Sequence, residues 1–186
     1  MRIISGKFKG KKLFTPNDKA IRPTSDRAKE MIFNTLNSYF ANKKINFDNL
    51  TVLDCFCGSG AIGLEFLSRG TKKVIFVDNS LESINLTKKN YFSLNINKKV
   101  TFLNVDYKKI TMNESKINFF YLDPPYKKID IRDILISFSL KKIFAKNVLG
   151  VIENPLDTEL KSIEGYKIWG EKKISKSLFY FIKKIK

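Results

Sequence analysis

Apolar and polar positions follow two rhythms along the chain. Across residues 25–40, Ala28, Met31, Ile32, Thr35, Leu36, Tyr39 and Phe40 recur at helical spacing, which predicts one amphipathic helix. Pro23 favours an extended residue before it, and Thr24 or Ser25 can cap the helix that follows. From Leu50 onward, short apolar runs at 51–55, 73–78, 100–105, 117–122 and 147–153 alternate with helical stretches near 61–69, 80–94 and 131–143. Strands that are apolar throughout and separated by helices belong in a parallel sheet covered on both faces. Residues 166–170 and 178–183 break the alternation and read as a terminal antiparallel hairpin. Before the long helix, residues 2–5 and 11–14 flank Gly6-Lys7-Phe8-Lys9-Gly10, which predicts a small basic hairpin.

The 186 residues are 43% hydrophobic, enough for one domain with a substantial core or a core plus a small appendage. No stretch approaches the roughly 20 apolar residues that a membrane span requires. The first residues turn polar too soon for a signal peptide, so a soluble cytoplasmic protein is expected. The formal charge of +17 favours polyanionic partners, because neutralising phosphates releases condensed counterions. Thirty Lys stand against five Arg beside many Ile and Asn, so part of that charge reflects a compositional bias.

Two cysteines, Cys55 and Cys57, and no histidine narrow the chemistry further. Thiols one residue apart cannot complete a tetrahedral zinc site alone, so no metal is expected. Their spacing also suits no ordinary disulfide, which fits a reducing compartment. Without histidine, no mechanism based on an imidazole base is available.

The first apolar run ends in Leu53-Asp54-Cys55-Phe56-Cys57-Gly58-Ser59-Gly60-Ala61-Ile62-Gly63. Gly58, Gly60 and Gly63 form a G-x-G-x-x-G pattern between a strand and a helix, which permits a tight turn and close approach of a ligand. Asp78 closes the second run twenty residues after Gly58, where an acid can hold ribose hydroxyls. Two ligands fit: a nicotinamide dinucleotide, its pyrophosphate on the helix N-terminus, or S-adenosylmethionine (SAM), its ammonium facing Asp54. A glycine loop serving helix packing alone is the plainer alternative. Asp106, after the third run, can accept from an adenine amine or can be an ordinary turn residue.

The fourth run leads into Asp123-Pro124-Pro125-Tyr126. Two prolines stop the ladder and stiffen the backbone. The Pro124 carbonyl and the Asp123 carboxylate become two acceptors, and Tyr126 offers a flat ring. Together they suit a planar group bearing an NH2. The nitrogen lone pair of such an amine is delocalised into the ring. Holding both hydrogens turns it towards a methyl donor, with the ring of Tyr126 stacked on the base. A nicotinamide enzyme has no use for this segment, so SAM is the cofactor expected.

The opening Arg2-Ile3-Ile4-Ser5-Gly6-Lys7-Phe8-Lys9-Gly10-Lys11-Lys12-Leu13, the segment Arg22-Pro23-Thr24-Ser25-Asp26-Arg27, the glycine loop and Asp123-Pro124-Pro125-Tyr126, in this order, resemble the RsmD family. Those enzymes methylate the N2 amine of one guanine, of the guanine-966 type, in bacterial 16S ribosomal RNA. The resemblance spans nearly the whole chain. It implies an α/β class I SAM-dependent methyltransferase, a Rossmann-like, mostly parallel seven-stranded sheet ending in an antiparallel hairpin, with a small N-terminal β-hairpin. Residues 1–23 would form the basic extension and 24–186 the methyltransferase domain.

By resemblance, Asp54, Gly58, Gly60, Asp78 and Asp106 line the SAM site, and Cys57, Asn79 and Tyr107 are counted with them. Family members often carry Ala at Cys57 and Glu at Asp78. Asp123, Pro124, Pro125 and Tyr126 are the candidate catalytic residues. Lys7, Lys9, Lys11, Lys12, Arg22 and Arg27 are candidates for RNA contact. For the two arginines, an ion pair at the helix start with Asp26 or Glu30 is the alternative. The expected partner is 16S ribosomal RNA within a partly assembled small subunit, bound by a monomer. Two other readings are a DNA adenine-N6 methyltransferase and a non-catalytic RNA-binding assembly factor.

Overall fold

The computed structural model describes residues 1–15, 24–111, 116–125, 129–158, 160 and 162–185. Seven strands form one sheet: β1 (Thr51–Cys55), β2 (Lys73–Asp78), β3 (Lys99–Asn104), β4 (Ile117–Leu122), β5 (Phe144–Pro155), β6 (Tyr166–Ile174) and β7 (Ser177–Lys184). Their order is β3-β2-β1-β4-β5-β7-β6. The first five pair in parallel, and β7 joins β5 and β6 antiparallel. Four helices cover the sheet: α1 (Asp26–Lys43), α2 (Ala61–Ser68), α3 (Leu81–Ser93) and α4 (Ile131–Leu140).

Neighbouring residues of each strand point to opposite faces, and two buried clusters result. Val52, Phe76, Phe119 and Phe181 pack with α1, α2 and α3 on one face. Leu53, Val77, Phe120 and Tyr180 pack with α4 on the other. This explains why β1 is buried at all five positions. The Ser25 side chain caps α1 by accepting from the Ala28 N–H, and Lys44 ends it in the left-handed conformation at φ 54°.

Several elements run differently from their apolar patterns. The fifth strand starts at Phe144 rather than 147, because its register with β4 shifts between Ile117 and Phe119. The sixth extends to Ile174 through Glu171, Lys172 and Lys173. Charge suits an exposed sheet edge, so the strand outlasts its hydrophobic signal. The last helix stops at Leu140 rather than 143, and Lys142 turns to φ 53°.

The N-terminal segment closes as a narrow hairpin with one bridge, Arg2 to Lys12. Ile3 N–H donates to the Lys11 carbonyl at 2.9 Å and Gly10 N–H to the Ile3 carbonyl at 2.8 Å, and other groups of the hairpin turn to α2. The Ile4 and Ser5 N–H groups donate to Glu65 at 2.8 and 3.0 Å, and Lys7 N–H donates to the Ser68 carbonyl at 2.8 Å. A Cβ on Gly6 would lie 2.1 Å from that carbonyl oxygen, and φ is +83°, so only glycine fits the turn. Ile3 is fully buried and Leu13 nearly so, within the same cluster as α1 and α2.

Candidate active site

The sheet order reverses between β1 and β4, where a crevice opens beyond the carboxyl ends of the strands. The register pairs Asp54 with Tyr121 and Cys55 with Leu122. The glycine turn and Asp123-Pro124-Pro125 therefore leave the sheet side by side. Asp123 is partly buried, Pro124 buried and Pro125 exposed. Tyr126 lies outside the described residues. Beneath this corner, the Tyr121 hydroxyl donates to Glu153 Oε2 at 2.6 Å and Ser177 Oγ donates to Glu153 Oε1 at 2.7 Å. This buried network joins β4, β5 and β7 and was not visible in the pattern. Burial, and then the charge of Glu153, pushes the Tyr121 hydroxyl well above the usual tyrosine range.

The glycine turn is held by side chains from three elements. Asp54 Oδ2 accepts from Gly63 N–H at 2.8 Å, tying the end of β1 to α2. Gly58 N–H donates to Asp78 Oδ2 at 3.0 Å, and Ser80 N–H donates to Asp78 Oδ1 at 2.9 Å. Thr87 Oγ1 donates to the Gly58 carbonyl at 3.0 Å and lies 3.6 Å from Cys57 Sγ. Asn90 Nδ2 donates to the Ser59 carbonyl at 2.9 Å. Gly60 sits at φ +74°, and a Cβ there would meet Thr87 Cγ2 at 2.5 Å. Phe56, a non-glycine residue at φ 64°, opens the turn in a conformation that such residues adopt at a cost.

Beside the turn lies a shallow cleft lined by Cys55, Phe56, Val77, Asp78, Asn79, Val105, Asp106, Tyr107 and Ile129. It unites four expected cofactor residues, Asp78, Asn79, Asp106 and Tyr107. It adds Phe56, Val105 and Ile129, which carried no sequence signal. The Phe56 and Tyr107 rings lie 5.8 Å apart. Asp106 Oδ1 caps the following turn by accepting from Lys108 N–H at 2.8 Å.

Burial raises the Asp54 carboxyl to about 7, and the nearby Asp78 charge adds to the effect while the Gly63 hydrogen bond opposes it. Burial pushes the Cys55 and Cys57 thiols well up, so both are inert as nucleophiles. Carboxylates in the cleft repel a pyrophosphate. They accept hydrogen bonds from hydroxyls and amines, and Asp54 suits a cation. This set of acceptors therefore fits an uncharged nucleoside joined to an ammonium, and SAM has that form.

The hairpin lysines Lys7, Lys9, Lys11 and Lys12 are exposed, as is Arg27. Arg22 lies outside the described residues. Asp26 pairs with Arg2 and with the fully buried Lys29, each at 3.2 Å. Lys9 and Arg2 line a polar groove of about 400 Å³ against Glu30, Asn34 and Asn37 of α1. Among the described residues no His, Cys, Asp or Glu cluster could hold a metal ion, and no helix is long and apolar enough to cross a membrane.

The strand order, the reversed last pair and the acid-lined crevice define a class I SAM-dependent methyltransferase fold. Residues 1–183 match the family model described as conserved hypothetical protein 95. The chain belongs to the RsmD family, that of ribosomal RNA small subunit methyltransferase D. It is 32% identical over 177 residues to the Haemophilus influenzae protein of that name, covering 92% of this chain and 88% of that one. It is also 32% identical to Bacillus subtilis YlbH over 169 residues, 89% of this chain and 88% of that protein. The solved structure of Escherichia coli yhhF superposes with a TM-score of 0.83 at 23% identity, covering 99% of this chain and 97% of that one.

Proposed function

We propose that this chain uses SAM to methylate the N2 amine of one guanine, of the guanine-966 type, in 16S ribosomal RNA. The observation that carries the reading is the β1–β4 register, which sets Asp123-Pro124 beside the glycine turn. In this reading Asp54, Cys57, Gly58 and Gly60 receive the amino acid end of SAM. Asp78 and Asn79 take the ribose hydroxyls, and Asp106 and Tyr107 take the adenine. SAM, when bound, supplies a methyl group on a sulfonium that becomes neutral on transfer.

The protein's own task is positioning. The Asp123 carboxylate and the Pro124 carbonyl each accept one hydrogen of the guanine amine, which aims its lone pair out of the base plane. Pro125 stiffens the corner, and Tyr126 stacks on the base. The surplus proton passes to Asp123 or to water after transfer. Lys7, Lys9, Lys11, Lys12, Arg22 and Arg27 neutralise phosphates around the target. The substrate is a partly assembled small subunit, met in the cytoplasm by a monomer.

Transfer of tritium from labelled SAM into small-subunit RNA from cells lacking this gene tests the reading, with the methylated base mapped by mass spectrometry. Methyl on a guanine N2 is expected, and Asp123→Ala should abolish transfer while SAM still binds. Transfer at an undiminished rate by Asp123→Ala would remove the proposed mechanism. Label appearing only on adenine N6 of DNA would move the substrate to DNA.

A further inference from the structure

We propose that Phe14 is a stacking subsite for an unpaired RNA base close to the target nucleotide, held against the glycine turn by Asn90. This rests on the RNA-methylating reading above and adds a residue that neither charge nor motif singled out.

Phe14 follows the buried Leu13 but is itself 45% exposed. The hydrophobic anchoring of this segment comes from Ile3 and Leu13, so burial does not account for the ring. Its backbone is nevertheless fixed. Phe14 N–H donates to Asn90 Oδ1 at 2.7 Å, and Asn90 Nδ2 donates back to the Phe14 carbonyl at 3.1 Å. The same Nδ2 donates to the Ser59 carbonyl at 2.9 Å. Asn90 is fully buried, so one amide group clamps the backbone of Phe14 and the glycine turn together. A displacement of this lock would leave buried polar atoms unpaired.

The surroundings of the ring specify the ligand. The Lys89 ammonium lies 4.1 Å from the ring centroid, and exposed Lys11 and Lys12 precede it in the chain. An aromatic ring with a lysine ammonium against it and part of its surface open is a platform for a nucleobase whose phosphate a cation neutralises. A base stacked here would sit next to the turn that receives SAM, so it belongs to a nucleotide near the methylated guanine. Such stacking needs an unpaired base, and it would help hold the target strand open.

The test uses the full chain and an oligoribonucleotide of the target region, with 2-aminopurine at single positions near the guanine. Wild-type protein should quench 2-aminopurine fluorescence at one of these positions. Phe14→Ala should lose that quench and bind the RNA about tenfold more weakly, while SAM affinity stays unchanged. Phe14→Trp should keep both quench and affinity. Because the ring is exposed, neither change threatens folding. RNA affinity of Phe14→Ala within twofold of wild type, or a quench that persists in it, would overturn the subsite. If wild-type protein methylates no RNA at all, the functional reading itself fails and takes this inference with it. Normal wild-type methylation with an indifferent Phe14→Ala sinks the subsite alone.

Discussion

Asp54 is the residue whose chemistry can be tested most sharply. It is 2% exposed, and its carboxyl is raised from 3.8 to about 7. Each pKa unit is worth about 1.4 kcal/mol, so an ionised Asp54 costs the fold on the order of 4 kcal/mol relative to the unfolded chain. The sign follows from proton binding. Between pH 4 and 7 the folded chain holds a proton that the unfolded chain releases, so this contribution is full below pH 4 and lost as pH rises through 7.

Asp54→Asn mimics the neutral carboxyl and keeps an oxygen for the Gly63 N–H. At pH 8 it should therefore stabilise the ligand-free chain by a few kcal/mol, and at pH 4 by little. Urea unfolding of both proteins at the two pH values reports on Asp54 together with its coupling to Asp78, because carboxylates that do not interact with it cancel in the difference. The same carboxylate should matter in the opposite sense to SAM. Binding an ammonium beside Asp54 should release a proton near pH 6, seen by calorimetry in buffers of different ionisation heat, and Asp54→Asn should abolish this release. A variant no more stable than wild type at pH 8, with unaltered proton release, would refute the account of Asp54.

Two further outcomes concern the frame around the site. Glu65→Ala should destabilise the chain by about 3–5 kcal/mol in urea unfolding, because it strands a nearly buried Arg69 and two hairpin N–H groups. Gly63→Ala should cost about 1–3 kcal/mol by the same measurement, since its Cβ would fall 2.3 Å from Phe76 Cε1 inside the core.

The strands of the sheet were legible in the sequence, and the contacts that hold the candidate site were not, because these depend on partners distant in sequence. Runs 73–78 and 117–122 end where their strands end, at Asp78 and before Asp123-Pro124, and β1 ends at Cys55 where Phe56 turns to φ 64°. Nothing local marks Glu65 as the seat of the hairpin, Asn90 as the clamp on Ser59, or Lys29 as a buried cation. On a helical pattern each reads as an ordinary polar residue. Their common feature is that they serve backbone groups that have no ladder partner. The N-terminal hairpin pairs only part of its backbone with itself, and several N–H and carbonyl groups left over are met by side chains of α1, α2 and α3. This dependence ties the basic hairpin to the two helices that hold the glycine turn. A segment carrying Lys7, Lys9, Lys11 and Lys12 cannot shift without disturbing Glu65 on α2 or Asn90 on α3. Asn90 thus joins the end of the hairpin to the Ser59 carbonyl of the glycine turn through three hydrogen bonds of a single amide.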